Sequence, residues 1–588
     1  MSIEAWFTLL IVGLCFALLA SNRYSPDLVL MGGLTLLLVS GVITTEQALM
    51  GLANEGMVTV GVLFIVVTGL RETGGINWIV ESVLSVPRSL ASAQLRVMAP
   101  VAMISAFLNN TPVVAIFIPA INDWAKRFQL PVSKLMLPLS YASIAGGTCT
   151  LIGTSTNLVI NGMVIGETGQ TPFGILDLAW IGIPITILVI GYVLFAQRLL
   201  PERKAPASIF ENVKEYTVEM LVEAGSPLDG KTIGAAGLRQ LPGLYLVEIE
   251  RDGRILSAVA PSEILNGNDR LVFVGMVDSM VDLQRIPGLK PATDQVFKLN
   301  ADLEDHLLSE AVISNTSPVI GKTIRESRFR SIYNAAIIGV ARDGQRIDRK
   351  IGDIRLRAGD TLLMISHPGF FNQHHNSRDF YLINGMGDVQ PVRHQRAPVA
   401  LSILMLMMAS VLTGWLSMLQ AAMLAAGLMI LTRCTSGRIA RRAVDWQILV
   451  VIAASFGIAQ GLHNSGAAAS IAGNLLSMAG AQPHIALALI FGLTALLSAI
   501  ATNNAAAVIM FPIALSSSTA LDVSLLPFAV TIMIAASASF ATPIGYQTNL
   551  MVYAAGGYRF NDYVIFGGPL TLLVGIATVS IVPLVWPF

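Results

Sequence analysis

Charge is scarce in this chain of 588 residues: Asp, Glu, Lys and Arg together make up 13%, and stretches 97–121, 135–165, 485–515 and 523–557 contain none of them. Those stretches also lack His, so they offer neither the carboxylate nor the imidazole that proton relays across a membrane generally use. No nucleophile with a base and an orienting acid occurs in them either, which argues against an enzyme. Cysteine is rare. Cys15, Cys149 and Cys434 share no short spacing, which excludes a disulfide framework or a zinc site. Lys and Arg balance Asp and Glu at 37 each, so no net field draws nucleic acid. A basic leader is missing before the first apolar run, Trp6 to Ala20, and a second run begins at Leu28. The first run is therefore expected to be a retained span and not a signal peptide.

Apolar residues are abundant, at 54%, and the mean hydropathy is +0.67, which marks a polytopic membrane protein. Apolar runs of spanning length or near it lie at about 4–20, 27–43, 57–70, 97–121, 135–165 and 178–199. A second set lies at about 398–415, 419–432, 446–462, 484–515, 524–555 and 563–587. The two sets repeat one another. Thr68-Gly69-Leu70 resembles Gln460-Gly461-Leu462, and Ser105-Ala106-Phe107-Leu108-Asn109-Asn110-Thr111 resembles Ser498-Ala499-Ile500-Ala501-Thr502-Asn503-Asn504. Thr150, Gly153 and Asn157 recur as Thr542, Gly545 and Asn549 at one constant offset. Glycines and small hydroxyls crowd the middle of 143–163 and of 541–553. Neither segment should stay helical throughout, and unwound backbone at membrane depth lines a cavity or is buried in protein.

Charge in the loops sets orientation. Loop 43–56 holds Glu46 and Glu55 and no basic residue, whereas its counterpart, 432–445, holds Arg433, Arg438, Arg441 and Arg442. Corresponding loops therefore face opposite sides, which is an inverted-topology repeat. Arg198, Arg203, Lys204, Arg393 and Arg396 border the central insert and assign it to the cytoplasm, with both termini outside. Segments 97–121 and 484–515 then start and finish on one side, as re-entrant hairpins turning near Asn109 to Pro112 and Thr502 to Ala505. The expected fold class is a polytopic α-helical membrane protein of two inverted repeats, each with a re-entrant hairpin and a broken helix, in the cell (inner) membrane. Repeat 1 spans 1–200 and repeat 2 spans 396–588. Between them lie two small α+β modules, 207–295 and 296–385. Ser226-Pro227-Leu228-Asp229-Gly230-Lys231-Thr232-Ile233 matches Ser317-Pro318-Val319-Ile320-Gly321-Lys322-Thr323-Ile324, and Arg251-Asp252-Gly253 matches Arg342-Asp343-Gly344. Neither Gly-Lys-Thr is read as a phosphate loop: the upstream glycine is missing in the second module, and the first, where Gly225 has that spacing, otherwise repeats the second. Arg71, Glu72 and Glu81 are read as interfacial anchors, and His367, His374, His375 and His394 as linker residues.

The presumed membrane core thus offers amides, hydroxyls and backbone carbonyls without any charged side chain. Helix N-termini suit an anion, and oxygens at helix C-termini suit a hard cation such as sodium. A buried anion with no countercharge is costly, and co-bound sodium closes the charge balance. A cation/proton antiporter would need a midplane carboxylate. A ligand-gated channel would only equilibrate its solute.

The paired tips, Asn109-Asn110-Thr111 and Thr502-Asn503-Asn504, with the broken spans ending in Thr-x-x-Asn, resemble the divalent anion:sodium symporter family over both membrane halves. The resemblance implies sodium-coupled uptake of a divalent anion by a homodimer. By position it implies substrate contacts at Asn110, Thr111, Asn503, Asn504, Thr154 and Pro543. It implies sodium contacts at Asn109, Asn110, Thr150, Gly153, Thr502, Asn503, Thr542 and Gly545, with Asn157, Thr548 and Asn549 as secondary candidates. Dicarboxylate members carry Thr-Pro-Pro-Asn in the broken spans, whereas this chain has Thr154-Ser155-Thr156-Asn157 and Tyr546-Gln547-Thr548-Asn549. The second form, together with the insert, is more similar to a branch of sulfate transporters, which implies sulfate, with a dicarboxylate as the alternative. The insert modules resemble the C-terminal ligand-binding modules of potassium-conductance regulators (TrkA-C), which implies a small regulatory ligand.

Overall fold

The structure is a computed structural model. It describes the chain apart from residues 1, 21–24, 75–85, 169–172, 203–216, 239–243, 252–253, 258–261, 276–282, 284–285, 293–306, 315–316, 343–344, 348, 350, 367–369, 371–378, 386–395, 481 and 501. Glu81, the linker histidines and the two Asp-Gly turns of the insert lie outside the described residues. Two compact units result: Met1–Arg203 with Val389–Phe588, and Lys204–Asp388.

The first unit is helical. Its first half runs α1 (Ile3–Ala20), α2 (Pro26–Val39), α3 (Glu55–Glu72), α4 (Leu90–Ser105), α5 (Asn110–Arg127), α6 (Ser133–Gly147), α7 (Ser155–Thr168) and α8 (Ala179–Phe195). Its second half runs α9 (Ala397–Leu412), α10 (Met418–Leu431), α11 (Trp446–Asn464), α12 (Ala467–Ala479), α13 (Pro483–Ile500), α14 (Asn503–Leu521), α15 (Leu526–Ser537), α16 (Gln547–Ala555) and α17 (Phe560–Val585). Among the described residues, Thr45–Glu72, Trp446–Asn464, Pro483–Ile500, Asn503–Leu521 and Phe560–Val585 are long and apolar enough to cross a membrane, and the other apolar helices are shorter.

Each of the four long uncharged stretches is split into two helices, and in two of them a side chain, Asn109 or Thr502, caps the second helix. Asn54 caps α3 by accepting from Gly56 N and Met57 N, and Asp445 caps α11 by accepting from Gln447 N and Ile448 N at the matching place. Packing repeats across the halves as well. The contact of α2 with α11 recurs, halves exchanged, as α10 with α3. Likewise α5 with α16 recurs as α14 with α7, and α6 with α16 as α15 with α7. Arg71 and Glu72 end α3 half-buried.

The second unit contains two five-stranded antiparallel sheets. The first has the order β3-β2-β4-β1-β5: β1 is Thr217–Val222, β2 Leu244–Arg251, β3 Arg254–Ser257, β4 Arg270–Gly275 and β5 Leu289–Pro291. In the second, β6 (Leu307–Ile313), β7 (Ala335–Arg342), β8 (Gln345–Arg346), β9 (Thr361–Ser366) and β10 (Phe380–Gly385) take the same places, in the order β8-β7-β9-β6-β10. Even the irregularities recur, with a bulge at Leu246/Glu248 in one sheet and at Ile337/Gly339 in the other. Each sheet holds a buried carboxylate by a two-pronged arginine. Arg251 donates to Asp269 at 2.8 Å through both Nε and Nη2, and Arg342 donates to Asp360 at 2.7 Å through both.

Candidate functional site

The candidate site is built from helix ends. α4 stops at Ser105 and α5 starts at Asn110, while α13 stops at Ile500 and α14 starts at Asn503. The interruptions thus fall slightly earlier than the expected turns, and Asn110 and Asn503 are the first residues of the helices that follow. Capping explains the shift. Asn109 Oδ1 accepts from Thr111 N at 3.3 Å, and Thr502 Oγ1 accepts from Ala505 N at 3.4 Å. Each of these side chains therefore has an oxygen already engaged at its own helix end.

The two broken spans are held open by the same bonds in both halves. In the first, the Thr150 hydroxyl donates to the Ala106 carbonyl and accepts from Gly153 N at 3.2 Å, while Asn157 Nδ2 donates to Thr150 O at 2.9 Å. In the second, Thr542 donates to Ala499 O at 3.3 Å and accepts from Gly545 N at 3.2 Å. Asn549 Nδ2 donates to Thr542 O at 3.0 Å and to Ser539 O at 2.7 Å. Asn157 and Asn549 thus act as clamps on the unwound backbone.

Each glycine of the breaks faces the carbonyls of neighbouring helix C-termini. A Cβ at Gly153 would lie 2.5 Å from Gly147 O and 2.9 Å from Ser105 O, and one at Gly545 would lie 2.8 Å from Ser498 O. Side-chain oxygens join them. Ser105 Oγ and Ser143 Oγ are 2.9 Å apart, and Ser498 Oγ lies 2.7 Å from Ser539 Oγ and 3.3 Å from Asn503 Oδ1. Asn110 Oδ1 packs over Gly147, where a Cβ would come within 2.6 Å of it. Asn110 is 1% exposed, and this Oδ1 is a buried acceptor with no donor. An orphaned amide oxygen beside helix-terminal carbonyls has the donor chemistry of a hard monovalent cation site.

Between these two oxygen clusters the halves touch through polar side chains. Asn110 Nδ2 donates to the Tyr546 hydroxyl at 2.5 Å, and Thr111 Oγ1 donates to Gln547 Oε1 at 3.0 Å. In the mirrored place, Ser155 Oγ and Thr156 Oγ1 lie 3.2 and 2.9 Å from Asn504 Oδ1. Thr154 Oγ1 is 3.4 Å from the Tyr546 hydroxyl, and the Asn503 side chain is a further hydrogen-bonding neighbour of that hydroxyl. The N-terminal ends of α5, α7, α14 and α16 therefore converge, and every polar partner named there is an amide, a hydroxyl or a carbonyl.

Of the residues expected from the sequence, Asn110, Thr111, Thr154, Asn503 and Asn504 come together at this junction. Thr150, Gly153, Thr542 and Gly545 shape the two oxygen clusters. Pro543 is buried in the second break. Thr548 does not face the junction: its Oγ1 accepts from Ser140 Oγ at 2.9 Å, between α16 and α6. The expectation missed Tyr546, Gln547, Ser155 and Thr156 as polar contacts between the halves. The offset that pairs Thr150 with Thr542 also pairs Thr154 with Tyr546 and Ser155 with Gln547, so the signal was present in the repeat.

A profile of the citrate transporter family matches residues 16–532 and 466–588. A putative sulfur deprivation response regulator of Chlamydomonas reinhardtii is 36% identical over 581 residues, covering 94% of this chain and 97% of that protein. Sodium/sulfate cotransporter 2 of the same alga is 28% identical over 770 residues, covering 95% and 87%. An uncharacterized transporter of Synechocystis is 32% identical over 568 residues, covering 94% and 92%.

Proposed function

This chain belongs to the citrate transporter family, and from that premise we propose that it carries a divalent oxyanion, sulfate first, into the cell together with sodium ions by alternating access. That it is a membrane transporter and not an enzyme follows from the family and from its relatives. The choice of solute and the coupling are our reading, and the observation that carries them is the convergence of four helix N-termini on a junction without an ionised side chain.

Magnitudes support the coupling. A helix N-terminus in a favourable, partly buried setting stabilises an anion by up to about 2 kcal/mol. Four of them fall short of the desolvation of a divalent ion, because that penalty is several kcal/mol for a monovalent ion even after relaxation and grows as the square of the charge. The deficit calls for cations, and the oxygen clusters around Gly153 and Gly545 are suited to hold them. Sodium is then a second cargo, bound by Asn110 Oδ1, by carbonyls of the α4, α6 and α13 ends, and by hydroxyls such as Ser498. The relatives named sodium/sulfate cotransporters favour the same pair of ions.

The finer architecture belongs to the same proposal. Opposite loop charge in corresponding places supports inverted repeats, with α4–α5 and α13–α14 as re-entrant hairpins. The basic residues flanking the insert support a cytoplasmic place for it, where its duplicated modules sense a small ligand. Labelled sulfate uptake into proteoliposomes, with and without an inward sodium gradient, tests the core of this. Saturable accumulation that requires sodium is expected. Equilibration without concentration, or uptake indifferent to sodium, refutes it.

A further inference from the structure

Tyr546 holds, in the second break, the place that Thr154 holds in the first, and there the two halves cease to match. Its phenol reaches across to the opposite half, where the hydroxyl accepts from Asn110 Nδ2 at 2.5 Å and stands 3.4 Å from Thr154 Oγ1. Asn503 adjoins the same oxygen. One hydroxyl therefore touches both paired asparagines and the threonine of the facing break. The side chain is 7% exposed, so its ring fills space that a threonine in its place would leave open.

A tyrosine hydroxyl has one proton and can accept as well. Here the acceptor side is taken by Asn110 at short range. Its proton faces Thr154 Oγ1 at 3.4 Å, near the limit at which a hydrogen bond persists, and the neighbouring Asn503 side chain. A negatively charged oxygen placed between the helix N-termini would capture that proton readily, because charge-assisted bonds are the stronger kind. The ring behind the hydroxyl sets how far such an anion can extend.

We infer that Tyr546 is the specificity-determining residue of the site: its hydroxyl donates to the anion while its ring restricts the pocket to a compact tetrahedral oxyanion and rejects elongated di- and tricarboxylates. This rests on the junction being the anion pocket. It also separates sulfate from the citrate for which the family is named.

The test uses the full chain in proteoliposomes under a sodium gradient, measuring labelled sulfate uptake and its inhibition by succinate and citrate. Tyr546→Phe keeps the ring and loses the donor, so half-saturating sulfate should rise about tenfold while citrate is still rejected. Tyr546→Thr makes the two breaks alike and opens the pocket. Succinate or citrate should then inhibit sulfate uptake at concentrations at least about tenfold lower than in the parent. Sodium-dependent thermal stabilisation of each variant shows that it is folded, and the phenylalanine variant keeps the donor arm readable if the threonine variant does not fold. Wild-type sulfate uptake, with Tyr546→Phe unchanged in half-saturation and Tyr546→Thr unchanged in selectivity, overturns the role of Tyr546 alone. A wild-type protein that accumulates citrate and not sulfate overturns both this inference and the choice of solute beneath it.

Discussion

Asn110 divides one amide between two ligands: its nitrogen is committed to Tyr546, and its oxygen is buried over Gly147 without a donor. Leaving a buried acceptor unpaired costs about 1–3 kcal/mol, which a bound cation would offset. Asn110→Ala is therefore expected to abolish sodium-driven uptake and sodium-dependent thermal stabilisation while the protein remains folded; retained sodium stabilisation would remove Asn110 from the cation site. A different residue-scale prediction concerns the insert. The Asp360 side chain is 1% exposed. Burial raises its carboxyl above the usual carboxylate range, and the Arg342 guanidinium at 2.7 Å opposes that rise. Arg342→Met removes the opposing charge and should destabilise the module by about 3 kcal/mol. With the folded-state value raised further above the unfolded one, protonation favours the fold. The loss is then full above that folded value and shrinks as pH falls through it. Hydrogen exchange of β9 should accordingly be faster in the variant than in the parent where Asp360 is ionised, and the two should converge as pH is lowered.

Helix ends, more than helix faces, give the first unit its chemistry. α5, α7, α14 and α16 direct N-termini at one junction, and the preceding helices direct carbonyls at Gly153 and Gly545. Asn109 and Thr502 cap α5 and α14 at matching places and so start these two helices in register in the two halves. Closeness between elements matters equally where α3 meets α7. The Asn54 amide that caps α3 also donates from Nδ2 to Gly162 O at 3.1 Å, and a Cβ on Gly56 would collide with the Leu158 carbonyl. Backbone in contact there cannot give way as a side chain does. Gly56→Val should force α3 from α7 at a cost of about 1–3 kcal/mol or more. A lower melting temperature and slower uptake are the expected readouts, and an unchanged pair of values would show that the contact yields freely.

Across the whole first unit, most contacts recur with the halves exchanged, yet α3 packs on α7 where its counterpart α11 packs on α14. Under the proposed inverted-repeat, alternating-access reading, two halves built alike but packed unlike are one of two arrangements that the chain adopts in turn. Under the alternating-access reading, the α3–α7 contact opens in the other arrangement. The cysteine pair Asn54→Cys with Gly162→Cys should then trap this arrangement on oxidation and halt uptake, with recovery on reduction. Undiminished uptake by the oxidised, cross-linked protein would show that the contact stays closed through the cycle. Removal of residues 207–385 should change the control of uptake and leave the selectivity between sulfate and citrate as it was. A change in selectivity would tie the insert to the pocket.

Both duplications, the break in each of the four uncharged stretches and the absence of charge around Asn110 and Asn503 were all legible in the sequence. Each is written locally: glycine, asparagine and threonine end a helix and cap the next wherever the chain goes, and a repeated motif needs no partner to be seen. Tertiary structure alone decided that Thr111 meets Gln547, that Asn504 meets Ser155 and Thr156, and that Thr548 turns away toward Ser140. It also brought the Tyr546 hydroxyl between the two asparagines. These contacts join residues hundreds of positions apart, and no periodicity along the chain encodes which helix ends will face one another. Packing of the two halves fixes that, and apolar surfaces turned to lipid or to protein look the same in sequence.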